Sequence, residues 1–177
     1  PRVSKCRERT NNGAVTSTPR WTCARGTAWL TSERMRFGAH QSVAGGLHKA
    51  LERANRDACR AVQVFTKNSG AWRDPDLDPE AVRLFRETHT TIGAPPLMAH
   101  ASYLINLASD AEEIRARSIQ GLAKELDRCS ALGVHHVVVH PGAHLGAGEA
   151  AGVRRIIEAI DEVHARTPAA TARLLLE

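Results

Sequence analysis

Three residues of metal-ligand type each close an apolar run in this chain. Pro96-Leu97-Met98-Ala99 runs into His100, Val137-Val138-Val139 into His140, and Leu174-Leu175-Leu176 into Glu177. A neutral imidazole is a ligand for zinc, manganese or iron, and a carboxylate supplies an oxygen that can bridge two ions. In a parallel α/β sheet, ligands bind at the carboxyl ends of the strands. The three runs therefore name one site if they are neighbouring strands. Each residue also has a plainer role: a rim histidine bonded to a loop carbonyl, or a frayed terminal carboxylate. Two histidines on adjacent strand ends can reach a shared ion, and a carboxylate behind three leucines is costly to bury without a partner.

Around these three lie further polar residues. Pro141 and Gly142 force a turn directly after His140, and His144 follows. His40 ends an earlier short run, before Gln41-Ser42. His40, Ser42 and His144 are candidates for the same mouth, as additional ligands or as supports behind them. His135 and His136 precede the apolar part of their run, at the opposite end, and read as structural. His48, His89 and His164 fall in helical stretches and read as solvated. Gly45-Gly46 opens a helix, where amides could hold a phosphate or where close packing needs glycine. Thr66-Lys67-Asn68-Ser69-Gly70-Ala71-Trp72-Arg73 offers basic, amide and aromatic groups that suit a phosphate backbone and an exposed base or sugar. A polar loop with one Trp anchored on the core is the competing account.

Elements must position these residues. Short strands are expected at 36–40, 61–65, 96–100, 135–140 and 172–176. Between them, Leu47, Ala50, Leu51, Ala54 and Ala58 have helical spacing. Asp78-Pro79 reads as an N-cap and first helical position. Ser109-x-x-Glu112 has the pattern of a capping box, before Ile114, Leu122, Leu126, Cys129 and Leu132, with Gly133 as the stop. Val153, Ile156, Ile157, Ile160 and Val163 give a further amphipathic helix. Such alternation predicts right-handed βαβ units and a parallel sheet. An open sheet and the first part of an eight-stranded barrel both satisfy it; a whole barrel takes about 250 residues, and the chain has 177.

Charge and composition bound the partners. The net charge is +5. Residues 1–34 hold seven Lys/Arg and two acids, which accounts for all of it; residues 35–177 carry 17 of each sign. Any basic surface on the patterned part must come from arrangement. Residues 1–34 lack a helical or strand period and read as a disordered or non-native extension, with Met35 as a natural start. The four cysteines show no CxxC spacing and fit a reducing, cytoplasmic compartment. No stretch approaches the roughly 18 apolar residues of a membrane span.

The motifs, in this order, resemble the endonuclease IV family of apurinic/apyrimidinic endonucleases. The matching stretches are Gly38-Ala39-His40-x-Ser42 with Ala44-Gly45-Gly46-Leu47, Phe65-Thr66-Lys67-Asn68 with Trp72, His100-x-Ser102-Tyr103-Leu104-Ile105-Asn106-Leu107, and His140-Pro141-Gly142-x-His144. Leu174-Leu175-Leu176-Glu177 is similar to the start of the family's Glu-Asn-Thr-Ala-Gly motif. The resemblance covers residues 35–177. It implies a TIM (β/α)8 barrel, here about the first four βα units and a fifth strand. It also implies zinc (three ions in the intact family fold) and hydrolysis of double-stranded DNA 5′ to an abasic site by zinc-activated hydroxide, leaving a 3′ hydroxyl and a 5′ deoxyribose phosphate. His100, His140 and Glu177 would be metal ligands, with Glu177 also catalytic. Tyr103, Leu104, Asn106, Asn68 and Lys67 would contact DNA. A monomer is the expected state of the intact enzyme.

Two departures temper the resemblance. Gly70 and Ala71 stand where several members carry Arg and Gln that fill the base stack. The family's other six metal ligands would follow Glu177, so the chain is expected to be an inactive N-terminal portion. A metal-dependent sugar isomerase or epimerase barrel and a non-catalytic DNA-binding remnant are the alternatives. The Tyr103–Asn106 stretch argues against the first of them.

Overall fold

The structure, a computed structural model, describes residues 35–73 and 75–177. The chain divides into two units, Pro1–Met35 and Arg36–Glu177. The expected extension over residues 1–34 lies outside the described residues. In the second unit five strands alternate with four helices: β1 (Gly38–His40), α1 (Leu47–Arg56), β2 (Ala61–Val64), α2 (Pro79–Thr91), β3 (Leu97–His100), α3 (Glu112–Leu132), β4 (His136–Val139), α4 (Glu149–Arg166) and β5 (Arg173–Leu176). The strands form one parallel sheet in the order β1-β2-β3-β4-β5. An order that follows the sequence without reversal, with each helix against the next along one face, is the winding of a barrel wall rather than of a doubly wound open sheet. The fold is an arc of a TIM-type barrel. Among the described residues, no helix is long and apolar enough to cross a membrane.

Period-two alternation divides the strand residues between two faces. Val62, Val64, Leu97, Ala99, Val137 and Val139 join the core with Ala50, Leu51, Ala54, Phe85, Ile119, Leu122, Leu126, Cys129 and Val163 of the helices. Gln63, Met98, His100 and Val138 lie on the opposite face, the concave side of the arc. The strands are therefore covered by helices on one side only, and the polar strand residues collect on the other.

Helix ends follow local chemistry in most places. Asp78 caps α2, its carboxylate accepting from the Glu80 N–H at 3.1 Å, with Pro79 next. Gly133 ends α3 in the left-handed region at φ 75°. The expected capping box on α3 does not form. Ser109 instead accepts from the Ala111 N–H at 3.2 Å, and the helix starts at Glu112 without a side-chain cap. The Ser hydroxyl satisfies a nearer amide, so Glu112 becomes the first helical residue rather than the third.

Two helix faces also differ from expectation. Ile114 on α3 is exposed, as are Val153 and Ile157 on α4. The buried stripe of α4 runs through Gly152, Ile156, Ala159 and Val163. His89 is not merely solvated, because its Nε2 lies 2.7 Å from the Pro95 carbonyl and ties α2 to the approach of β3.

Buried polar groups hold the β2–α2 connection to α3. The Thr66 hydroxyl donates to the buried Glu125 carboxylate at 2.6 Å. Arg128 donates from Nε to Thr66 Oγ1, from one terminal nitrogen to the Thr66 carbonyl, and from the other to the Pro75 carbonyl. One guanidinium thus fixes both ends of a connection that would otherwise hang over the helix. Cys129 lies beside this network. Burial first, and the neighbouring Glu125 carboxylate second, push its thiol far above the usual cysteine range. Iodoacetamide at about pH 9 is expected to leave Cys129 unmodified in the folded chain and to alkylate it only in denaturant. Peptide mass spectrometry reads this directly, and fast native labelling of Cys129 would contradict the packing.

Candidate metal centre

The parallel register brings three strand ends into line. His100 pairs with Val138, and Val139 pairs with Leu176, so His140 and Glu177 each follow a paired residue. Ladder bonds continue past the strands: the Ala101 N–H donates to the Val138 carbonyl at 2.8 Å and the Glu177 N–H to the Val139 carbonyl at 3.1 Å. Neighbouring strands are about 4.8 Å apart, close enough for side chains at three successive ends to meet. One ligand-type atom from each of His100, His140 and Glu177 lies within 4.8 Å of the other two. The Glu177 backbone continues the ladder to β4 through its bond to Val139.

The tautomer of His100 follows from its partners. Its Nδ1 is 2.7 Å from the Ala101 carbonyl, which can only accept, so Nδ1 carries a hydrogen. In the neutral ring Nε2 then presents a lone pair, and it faces Glu177 Oε2 at 3.5 Å. Two acceptors face one another unless a proton or a metal cation sits between them. His100 is buried (6% exposed), while Glu177 is open at 61%. Fixing one ring nitrogen on a carbonyl and leaving the other for an ion is the habit of metal-ligating histidines. The donor set, two imidazoles and a carboxylate, fits a divalent metal ion.

Aromatic rings line the mouth. His40, Phe65, His100 and His140 follow one another with centroid separations of 4.5, 5.5 and 5.1 Å. Tyr103 stands over them, 5.2 Å from His100 and near-parallel to His140 at 6.0 Å. Tyr103 is 61% exposed. Phe65 separates His40 from His100, and the His40 ring bonds instead to Gln63 at 3.1 Å. His40 is therefore not in the three-residue cluster. Phe65 is the residue that sequence reading missed, since it passed for a strand hydrophobe. Its position at the last place of an apolar run, where His40, His100 and His140 stand on their own runs, was the available signal.

The other candidates are mostly engaged with backbone. Asn106 Oδ1 accepts from the N–H groups of Ala108 and Ala143, and its Nδ2 donates to the Ala143 carbonyl, each at 3.1 Å. It clamps the loop after β3 to the loop after β4. A Cβ on Gly142 (φ 106°) would overlap Asn106 Oδ1, so glycine is required there. His144 Nδ1 accepts from the N–H groups of Gly146 and Gly148, at 3.2 and 3.1 Å, and holds the start of α4. Ser102 donates to the Ser69 carbonyl at 2.6 Å, joining the loops after β3 and β2, and accepts from the Leu104 N–H. Ser42 accepts from the Ala44 N–H within its own turn. Asn68 accepts from the Gly70 N–H at 2.9 Å. Lys67 is half-buried and Leu104 likewise. The Trp72 ring edge rests beside Gly121 of α3, so this loop is anchored on the helix layer.

Known proteins resemble this chain in sequence and fold. The family described as xylose isomerase-like TIM barrel matches residues 51–177. A protein of Geotalea daltonii named probable endonuclease 4 is 46% identical over 140 residues, which cover 79% of this chain and 49% of that protein. The crystal structure of endonuclease IV from Thermus thermophilus superposes with a TM-score of 0.72 at 34% identity, covering 80% of this chain and 51% of the other. A D-tagatose 3-epimerase-like protein superposes at TM-score 0.60 with 18% identity, over 80% of this chain and 52% of its own, a likeness of fold alone. The chain spans about half the length of the curated relatives it matches.

The Asn106 clamp makes a stability prediction. Asn106→Leu removes three hydrogen bonds and leaves the buried Ala108 amide without its partner, at a cost of about 1–3 kcal/mol. Gly142→Ala is expected to destabilise by a similar amount. The double variant should cost less than the sum by about 1 kcal/mol or more. Urea unfolding measures all three, and strict additivity would show that the two residues do not share one clamp.

Proposed function

Because the chain belongs to the endonuclease IV family of xylose isomerase-like TIM barrels, we propose that it supplies part of the metal centre and DNA-facing mouth of a DNA repair endonuclease acting at abasic sites. The observation that carries this reading is the convergence of His100, His140 and Glu177, with Nε2 of His100 turned towards the carboxylate. Zinc is the metal proposed, as one part of a three-ion set. Bound there, it would lower the pKa of a water ligand and neutralise charge on a phosphodiester.

The chain's own residues have separable tasks. His100 is oriented by the Ala101 carbonyl and presents Nε2 without a rotamer search. Glu177, open to solvent, is placed to accept a proton from, or orient, the water that attacks phosphorus. Tyr103 projects from the mouth over both histidines. It can press against the gap left by a missing base, where extruding the nucleotide is least costly. Lys67 and Asn68, on the loop after β2, are proposed to meet phosphates and to set register rather than to read sequence. Gly70 and Ala71 have no side chain long enough to enter a base stack. Lesion filling therefore falls to the Tyr103–Leu104 loop.

Two measurements test the reading. Zinc titration of the chain by calorimetry is expected to show a site that His100→Ala, His140→Ala and Glu177→Gln each weaken at least about 100-fold, more than the loss for a supporting residue. Residues 36–177 grafted in place of the corresponding half of the Thermus thermophilus enzyme should retain EDTA-sensitive incision 5′ to an abasic site. Glu177→Gln in that chimera should lower the rate by about 100-fold or more. A chimera that folds and binds zinc yet cuts intact and abasic duplex alike would end the abasic-site assignment.

A further inference from the structure

The stretch His140-Pro141-Gly142-Ala143-His144 holds two histidines, and the candidate metal centre uses the first. We propose that the second, His144, is a positioning residue for that centre: in its Nε2–H tautomer it braces the loop after β4, and through the loop it fixes His140. The inference rests on the metal-centre reading proposed above.

The loop that leads into α4 is built on this one residue. The Gly146 and Gly148 N–H groups both donate to His144 Nδ1, at 3.2 and 3.1 Å, and the Ala147 N–H donates to the His144 carbonyl at 2.9 Å. Two N–H donors require a lone pair on Nδ1, so the hydrogen of the neutral ring is on Nε2. That is the opposite tautomer to His100, whose Nδ1 carries the hydrogen and whose Nε2 is left for an ion. One histidine is set to ligate and the other to brace. The loop does not keep its shape by intrinsic preference. Leu145 sits at φ 48°, between Gly142 at 106° and Gly146 and Gly148 at 99° and 91°. Left-handed backbone is costly for a leucine, and Leu145 is 70% exposed, so packing does not offset that cost.

His140 needs such a brace more than His100 does. The His100 ring is buried and tied to the Ala101 carbonyl. His140 is exposed, and its ring meets the rings of His100 at 5.1 Å and Tyr103 at 6.0 Å. Its place therefore depends on the backbone that leads away from it. That backbone is fixed at two successive points. Asn106 clamps Ala143, and His144 ties the residues that follow. His144 is itself seated on α4, because a Cβ on Gly152 would come within 2.8 Å of the His144 Cβ. Gly148 gives α4 no side-chain cap, and its own amide is taken by His144 Nδ1. Ligand, turn, brace and helix form one continuous path, as expected where a supporting residue sets the orientation of a metal ligand.

The test uses the full chain, with zinc calorimetry and nitrogen NMR of the histidine rings. His144→Ala is expected to weaken zinc by about 10-fold, short of the loss from removing a ligand. His144→Asn places Oδ1 at the same distance along the side chain as Nδ1 and should restore most of the affinity. His144→Gln, with its acceptor one atom further out, should not. Gly148→Ala approaches the contact from the donor side. Its Cβ would meet nothing within 4 Å, so it acts through the left-handed backbone and should also weaken zinc. In the NMR spectra His144 should carry its hydrogen on Nε2 with and without zinc, while the His140 nitrogens shift on titration. Parent-like zinc affinity in His144→Gln, or no recovery in His144→Asn, overturns the brace and leaves the three ligands standing. A zinc-induced shift of the His144 nitrogens makes it a ligand and overturns the brace as well. If His144→Ala does not fold, Gly148→Ala, which keeps His144, decides the matter, and parent-like zinc affinity there overturns the brace. A parent chain that binds no zinc overturns the metal-centre reading and this inference with it.

Discussion

The site depends on the parallel register of β3, β4 and β5. Hydrogen bonds from Ala101 to Val138 and from Glu177 to Val139 leave the three strand ends level with one another. If β5 slipped by one residue, Leu176 would turn onto the concave face and Glu177 would point into the helix layer, because strand side chains alternate strictly. The apolar runs enforce the register. Leu97, Ala99, Val137 and Val139 must face the helices, and that requirement sends His100 and His140 to the other side. Core burial and ligand placement are therefore one constraint, and a carboxylate at Glu177 is tolerable because its face is open to solvent.

Above the sheet, loops are fastened to one another rather than to the strands. Ser102 reaches the loop after β2, Asn106 the loop after β4, and Arg128 both ends of the connection from β2 to α2. Each bond satisfies a backbone group that the loop would otherwise expose or strand. Family resemblance assigns Asn106 to DNA, but its amide is committed to Ala108 and Ala143. It acts by holding Tyr103 and the Pro141–Ala143 turn in a fixed relation. Tyr103 is the member of that loop whose side chain has no such engagement with backbone and stands open at the rim.

The strands, their order of appearance and the meeting of His100, His140 and Glu177 were legible because each rests on a short apolar run ending in a polar residue, with Pro141-Gly142 marking the turn after His140. Asp78-Pro79 and Gly133 were legible as helix ends for the same reason, since each residue type has few other uses. The α3 start was not. Ser109 and Glu112 have the right spacing, but Ser109 captured the Ala111 amide first, and spacing cannot say which amide a hydroxyl will choose. Val153 and Ile157 misled because a helix with apolar residues on adjacent stripes has two possible inner faces. Gly152 decides between them: a Cβ there would come within 2.8 Å of His144 Cβ, so that side lies against the loop and the core. For Trp72 the sequence offers two roles, core anchor and DNA contact. Its edge lies against Gly121 while over a third of its surface stays open, so anchoring does not preclude contact.

Charge shows why composition alone misdirects. Residues 35–177 carry equal numbers of acidic and basic groups, and a neutral domain is a poor prior for a nucleic-acid partner. The acids are not spread evenly. Glu80 and Glu87 are paired with Arg83 along α2, and Glu162 with Arg166 along α4. Lys67, Arg117 and Lys124 line one depression with Trp72, and each is already engaged, Arg117 with Glu113. Net neutrality of residues 35–177 limits long-range attraction for a polyanion.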